Sequence, residues 1–185
     1  MAAQDNPSGG KMPTGSGLSD WRGEGAWCRM AMPVKGTAMP LTIRPLAPAD
    51  KPAWAALWKA YLAFYETSVS DAIYDTTFER ICDPGHPDQN GLLAVQDGTP
   101  VGLAHYIYHA HNWRLEKVCY LQDLYTDPAV RGTGVGRKLI EAVYAAADTD
   151  GCPSVYWMTQ DFNVQARQLY DRIGVLTPFI KYARP

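Results

Sequence analysis

The chain has 185 residues, 46% of them hydrophobic, with a formal net charge of −2 and a pI near 6.0. That content can bury one substantial core, so one domain is expected, and the charge balance gives no electrostatic footprint for nucleic acid. No apolar run reaches the roughly 18 residues of a membrane helix, and Cys28, Cys82, Cys119 and Cys152 stand far apart without C-x-x-C spacing, which argues against a zinc site or a disulfide framework and suits a cytoplasmic setting.

Residues 1–38 are rich in Gly, Pro and Ser, show no sustained period and lack the apolar segment of a secretory signal. They read as a disordered leader, native or else a remnant of expression or of a start set too far upstream, with the folded domain at 39–185. Trp21 and Trp27, unusual in such a stretch, are candidates to dock on the domain or on a second copy.

Leu41 to Leu46 reads as a short strand. Asp50 is placed to cap a helix, Pro52 fits its first turn, and Trp54, Leu57, Trp58, Tyr61 and Tyr65 recur at helical spacing. A shorter helix is expected over Thr76 to Cys82, capped by Asp75 and broken by Asp83-Pro84-Gly85-His86-Pro87. Gly91 to Gln96 and Thr99 to Tyr108 are two strands joined at Asp97-Gly98, a hairpin signal. Tyr120 to Thr126 is the next strand, closed by Asp127-Pro128. A helix follows with Val135, Leu139, Ile140 and Val143 on one stripe, ending at Asp150-Gly151. Val155 to Thr159 is apolar and β-prone; Asn163 caps a helix bearing Ala166, Leu169, Tyr170 and Ile173; Gly174 stops it, and Phe179 to Tyr182 makes a last strand. The order β-α-α-β-β-β-α-β-α-β mixes hairpins with two β-α-β crossovers. It predicts an α/β (α+β) domain with a mixed central sheet of six or seven strands and helices on both faces.

The strand-to-helix junction at Arg131-Gly132-Thr133-Gly134-Val135-Gly136 packs three glycines into six residues. Glycines there bring bare backbone N–H groups close to whatever sits on the loop, and the first helical turn adds unpaired N–H groups and a partial positive charge. Together these form an anion site suited to phosphate. A Walker-type loop would need Lys-Ser or Lys-Thr after the last glycine, where Arg137-Lys138 stands, and G-x-G-x-x-G also fails. What remains is R-x-x-G-x-G, spelled by Arg131, Gly134 and Gly136.

That loop resembles the pyrophosphate loop of the GNAT N-acetyltransferases. YLQDLYTDPAVRGTGVG resembles the family's acetyl-CoA motif, and SVYWMTQDFNVQARQLYDRIG its second motif, with Asn163, Ala166, Leu169, Tyr170 and Gly174 at fitting positions. The likeness covers about residues 41 to 183, and V-Y-W-x-T with N-x-x-A-x-x-L-Y resembles most the yeast histone and polyamine acetyltransferases, then the diamine and thialysine enzymes. The resemblance implies acetyl-CoA as cofactor, a small-molecule amine as acceptor, and a homodimer; neither nucleic acid nor a membrane is an expected partner.

Acetyl transfer from a thioester to an amine asks for removal of a proton from the ammonium, a donor for the thioester oxygen and a proton for the departing thiolate. The resemblance gives the last task to Tyr170; read from the residues alone, Tyr170 is also one more member of an apolar face with Leu169 and Ile173. It places the backbones of Leu124, Tyr125 and Thr126 along the cofactor's pantetheine arm, and the diphosphate on Arg131, Gly132, Thr133, Gly134, Val135, Gly136 and Arg137, with Asn163 nearby. Where the diamine enzymes carry Glu-Asp this chain has Gln122-Asp123, so the expected Glu is missing, and an amide takes no proton at useful pH. Asp123 is then a candidate to contact the ammonium or act through water, or equally to cap a loop; His105, His109 and His111 are spare candidates. Tyr65 and Glu66, with Asp71, Tyr74 and Asp75, are acids and aromatics suited to a cationic acceptor. Two other activities fit the same pattern: a histone or other protein lysine acetyltransferase, and a regulatory module that binds acyl-CoA without turnover.

Overall fold

Two periodicities divide the chain between one sheet and the helices on its faces. The computed structural model of the protein describes residues 41–184; the leader, with Trp21, Trp27 and Cys28, lies outside them. The strands are β1 (Leu41–Pro45), β2 (Gln89–Gln96), β3 (Thr99–His109), β4 (Val118–Thr126) and β5 (Val155–Trp157). They form one sheet in the order β1-β2-β3-β4-β5, antiparallel through β4 and parallel between β4 and β5. The β2–β3 link is the two-residue turn foreseen, with Asp97 at φ 52° and Gly98 at φ 75°, the paired left-handed conformation that matches strand twist.

The helices are α1 (Lys51–Phe64), α2 (Asp71–Cys82), α3 (Val135–Thr149) and α4 (Val164–Ile173). Leu139, Ile140, Val143 and Ala147 of α3 are fully buried against Ala94, Ala104, Tyr106, Cys119 and Leu121 on one face of the sheet, and Leu169, Tyr170 and Ile173 of α4 pack on the same cluster. On the other face Trp54, Leu57, Trp58 and Leu62 of α1 and Phe78 of α2 close over Leu93 and Leu103.

Three expectations change at element level. α2 starts at Asp71, with Ser70 at its N-cap position; Asp75 lies inside the helix and pairs with Lys51 Nζ at 2.8 Å. Asp50 stands at the N-cap position of α1 as expected, but its side chain makes no cap bond to the helix. Its carboxylate accepts Ala47 N–H at 2.8 Å and two Arg44 N–H bonds at 2.6 and 2.8 Å, closing a short 3₁₀ turn at Pro48–Asp50 ahead of α1. The expected strand from Phe179 to Tyr182 is irregular chain, with Phe179, Ile180 and Tyr182 76–87% exposed. No strand lies beyond β5 for it to join, and so the described residues hold five strands and one β-α-β crossover.

β4 also breaks its own alternation. Its pairing with β3 runs from His105↔Asp123 to Tyr106↔Leu121, so Gln122 is an unmatched extra residue. Cys119 and Leu121 face α3 before this bulge. After it Asp123 faces α1 instead. An extra residue does this because strand side chains change face at every step.

Candidate active site

The cleft opens where β4 and β5 separate. They pair only at Cys119–Val155, Tyr120–Tyr156 and Leu121–Trp157, so from Gln122 to Thr126 that edge of β4 has no strand beside it among the described residues. Such an edge offers main-chain N–H and C=O groups to an extended amide ligand. Leu124, Tyr125 and Thr126 line the cleft from this edge, Asn163 and Tyr170 from α4, and Tyr61, Phe64 and Tyr65 from the end of α1. Its volume is about 380 Å³.

The glycine loop also lines the cleft. Asp127 accepts Ala129 N–H at 2.8 Å and starts a short 3₁₀ turn, Pro128–Val130. Gly132 and Gly134 then take φ of 80° and 93°, and a Cβ at either would meet no atom within 4 Å. These glycines therefore serve backbone shape and a bare loop surface rather than tight packing. Gly134 is the N-cap of α3, whose first turn carries unpaired N–H groups. At Gly136 a Cβ would stand 3.4 Å from Thr126 Oγ1 and 3.5 Å from Leu169 Cδ2, filling the seam between the loop and α4. Arg131 and Arg137 flank the same loop; Arg131 Nε donates to Thr126 O at 3.3 Å, and Arg137 Nε pairs with Glu141 at 2.7 Å. Glycines, helix start and two guanidiniums suit a diphosphate.

Asn163 caps α4, its Oδ1 accepting Ala166 N–H at 3.3 Å while its amide reaches Thr159 Oγ1 at 3.3 Å. Tyr170, one face of α4 further on, packs on Trp157 with ring centroids 5.5 Å apart. Burial, with Tyr65 beside it, pushes its phenol up to about 12.

Three candidates stand apart from the lining. Glu66 is exposed, with a left-handed φ of 54°, and does not border the cleft. Thr133 lies on the loop, and its hydroxyl donates to Val130 O at 2.7 Å. Asp123 lies behind the wall, 7% exposed. Its Oδ2 receives Trp58 Nε1–H at 3.2 Å and lies 2.9 Å from His105 Nδ1, while Trp54 Nε1–H donates to His105 Nε2 at 2.7 Å. The sequence gives no sign of this network: the two tryptophans sit at ordinary core spacing, and His105 is 51 residues from Trp54. His109 and His111 lie elsewhere, His109 Nε2 3.0 Å from the Tyr156 hydroxyl and His111 Nδ1 accepting Trp113 N–H at 3.2 Å.

Of the other acids and aromatics, Tyr74 packs on Trp54 and Trp58 with ring centroids 6.0 and 5.0 Å away, and Asp71 is exposed in the first turn of α2. No group of His, Cys, Asp and Glu among the described residues is arranged to hold a metal.

Comparison with known proteins bears on this geometry. Residues 54–175 match the Acetyltransferase (GNAT) family. The chain is 39% identical over 145 residues to a D-amino-acid N-acetyltransferase of Saccharomyces cerevisiae, covering 78% of this chain and 90% of that protein. It is 31% identical over 96 residues to the thialysine N-epsilon-acetyltransferase of Bos taurus, covering 52% of this chain and 51% of that one. In fold it matches an aminoglycoside N-acetyltransferase crystallised with CoA, with a TM-score of 0.71 at 18% identity over 82% of this chain and 99% of the other. The chain belongs to the GNAT family of acetyltransferases.

Proposed function

We propose that the protein transfers the acetyl group of acetyl-CoA to the primary amine of a small molecule: an amino acid, a polyamine or a lysine analogue. One observation carries the reading. A single cleft is lined by a bare glycine loop at the start of α3, an open β4 edge and Tyr170. Those three features fit diphosphate, pantetheine amides and thioester. The yeast relative, named for D-amino acids, and the bovine one, named for thialysine, support an amino-acid-like acceptor.

The thioester supplies an activated acetyl group. Main-chain N–H groups at Leu124 to Thr126 hold the arm that carries it and polarise its carbonyl. A neutral amine attacks the carbonyl carbon, the C–N bond forms, the C–S bond breaks, and Tyr170 gives its proton to the departing sulfur. At about 12 the Tyr170 phenol keeps its proton throughout the neutral range, and the burial that weakens it as an acid equally strengthens the thiolate's hold on a proton.

A homodimer and a cytoplasmic location belong to the same proposal. Val175, Leu176, Phe179, Ile180 and Tyr182, each at least 76% exposed, follow α4 and form an apolar strip suited to a second copy; the unpaired thiols Cys82, Cys119 and Cys152 suit a reducing compartment. The test is CoA release with D- and L-amino acids, thialysine, polyamines and histone peptides, beside a crystal grown with acetyl-CoA. Turnover of a small amine and a diphosphate seated on residues 131–137 are expected. A diphosphate elsewhere, or turnover of peptides alone, overturns the reading.

A further inference from the structure

The face of α1 that looks down on the sheet connects the buried carboxylate to the cleft. Trp54, Trp58, Tyr61 and Tyr65 follow one another at intervals of four, three and four residues, so they share one helix face. Trp54 holds His105, Trp58 holds Asp123, Tyr61 forms part of the cleft wall, and Tyr65 lines the same cleft as Tyr170.

Hydrogen-bond chemistry fixes the direction of this network. An indole N–H only donates, so His105 Nε2 accepts from Trp54 and the ring proton sits on Nδ1. Nδ1–H then donates to Asp123 Oδ2, as Trp58 Nε1–H does. His105 is thereby engaged at both nitrogens and offers no site for a substrate proton. Every partner of Asp123 is a donor, which leaves the carboxylate as the acceptor of the group. Tyr61 follows Trp58 by three residues on the helix face that meets this carboxylate, its phenol feels the Asp123 charge, and Tyr61 borders the cleft where Asp123 does not.

Resting on the acetyl-transfer reading of this cleft, we infer that Tyr61 is the catalytic residue that meets the acceptor amine and passes its proton to Asp123, with His105, Trp54 and Trp58 as positioning residues. The step balances without another reactant. The ammonium gives a proton to the Tyr61 oxygen as the Tyr61 proton moves to Asp123, leaving a neutral amine, a neutral phenol and a carboxylic acid. After product leaves, the proton returns to water by the same two groups. Burial and the Asp123 charge together drive the Tyr61 phenol well above its ordinary value, so Tyr61 works by giving one proton while taking another, not as a phenolate. The relay also accounts for the lack of an acid at Gln122: the bulge turns the next residue, Asp123, toward α1 instead.

The experiment compares the full chain with Tyr61→Phe, Asp123→Asn, their double variant, His105→Asn and His105→Ala. CoA release is followed from acetyl-CoA with D-alanine, thialysine and spermidine between pH 6.5 and 9.5, and acetyl-CoA affinity and thermal unfolding are measured for each. The titratable side chains against Asp123 are His105 from β3, Tyr61 from α1 and Tyr120 from β4. Tyr61→Phe should keep acetyl-CoA affinity yet lose about 100-fold in kcat/KM at pH 7. The loss should shrink as pH approaches the amine's own pKa, where solvent has already removed the proton. The double variant should be no worse than the poorer single one. His105→Asn, which can keep a donor toward Asp123, should retain more activity than His105→Ala. Should Asp123→Asn fail to fold, Tyr61→Phe and the two His105 variants still decide. Turnover in Tyr61→Phe equal to the parent, or lowered by the same factor at every pH, overturns the relay and leaves acetyl transfer standing. No turnover of any of these amines by the parent overturns both.

Discussion

Tyr170 and the glycines show what single positions contribute. Replacing Tyr170 by Phe should leave acetyl-CoA affinity intact and lower kcat by roughly 100-fold or more, since the proposed reaction then loses only proton delivery to sulfur; stopped-flow CoA release and calorimetry read the two separately. Gly174→Ala acts on the fold instead. A Cβ there would stand 2.6 Å from Trp157 Cη2, inside any real contact, and the end of α4 must shift at a cost of about 1–3 kcal/mol, measurable as a lower urea midpoint. The place of the loop glycines in the cleft was legible from the physics of their motif, and that of Tyr170 through the family resemblance alone. The Trp54–His105–Asp123 network was not: tryptophans at helical spacing and a histidine on an apolar strand spell ordinary core, and only folding brings them together.

At the scale of elements, strong periodicity and the end signals of α3 and α4 survived, while the acids expected to cap α1 and α2 take other partners. α3 begins and ends where its apolar stripe and Asp150-Gly151 placed it. α2 begins five residues before the expected Thr76, because Ser70 serves as its N-cap position and Asp75 points to Lys51. Asp50 holds the N-cap position of α1, yet its carboxylate serves β1 and the 3₁₀ turn. The two acids should behave differently on removal. Asp75→Ala breaks an exposed pair and should cost no more than about 1 kcal/mol. Asp50→Ala frees Ala47 N–H and a doubly bonded Arg44, and should cost about 1–2 kcal/mol by chemical denaturation. The hydrogen bonds from Arg44 hold the Asp50 carboxyl below its usual range, so its contribution is present above the unfolded-state value near 3.9 and is lost as pH falls through the lower folded one. The Phe179–Tyr182 strand failed for a different reason: apolar β-prone residues need a partner edge, and composition does not say whether one is in reach.

For the molecule as a whole, the buried phenols and thiols set the alkaline limit. Burial raises Tyr106 and Tyr170 to about 12 and Cys119 to about 12, and raises Tyr61 and Tyr108 further. Above the ordinary thiol and phenol values, near 8.5 and 10, the unfolded chain gives up these protons while the folded one keeps them. Fewer protons bound in the unfolded state means that stability falls as pH rises, by up to about 1.4 kcal/mol per unit for each group fully engaged. Urea midpoints taken from pH 7 to 11 should therefore drop steeply above about pH 9–10, with phenolate absorbance appearing together with unfolding. A flat profile to pH 11 would mean these groups are solvated in the native state.

Gln122 makes the count of residues in β4 matter more than the chemistry of the one that sets it. Gln122→Ala keeps the phase of the strand and should be nearly silent in stability and turnover. Removing the residue outright would turn everything from Asp123 to Thr126 over, driving a carboxylate into the aliphatic layer beneath α3 and presenting the cofactor with the wrong side chains. The shortened chain should yield little soluble protein, and none that turns over.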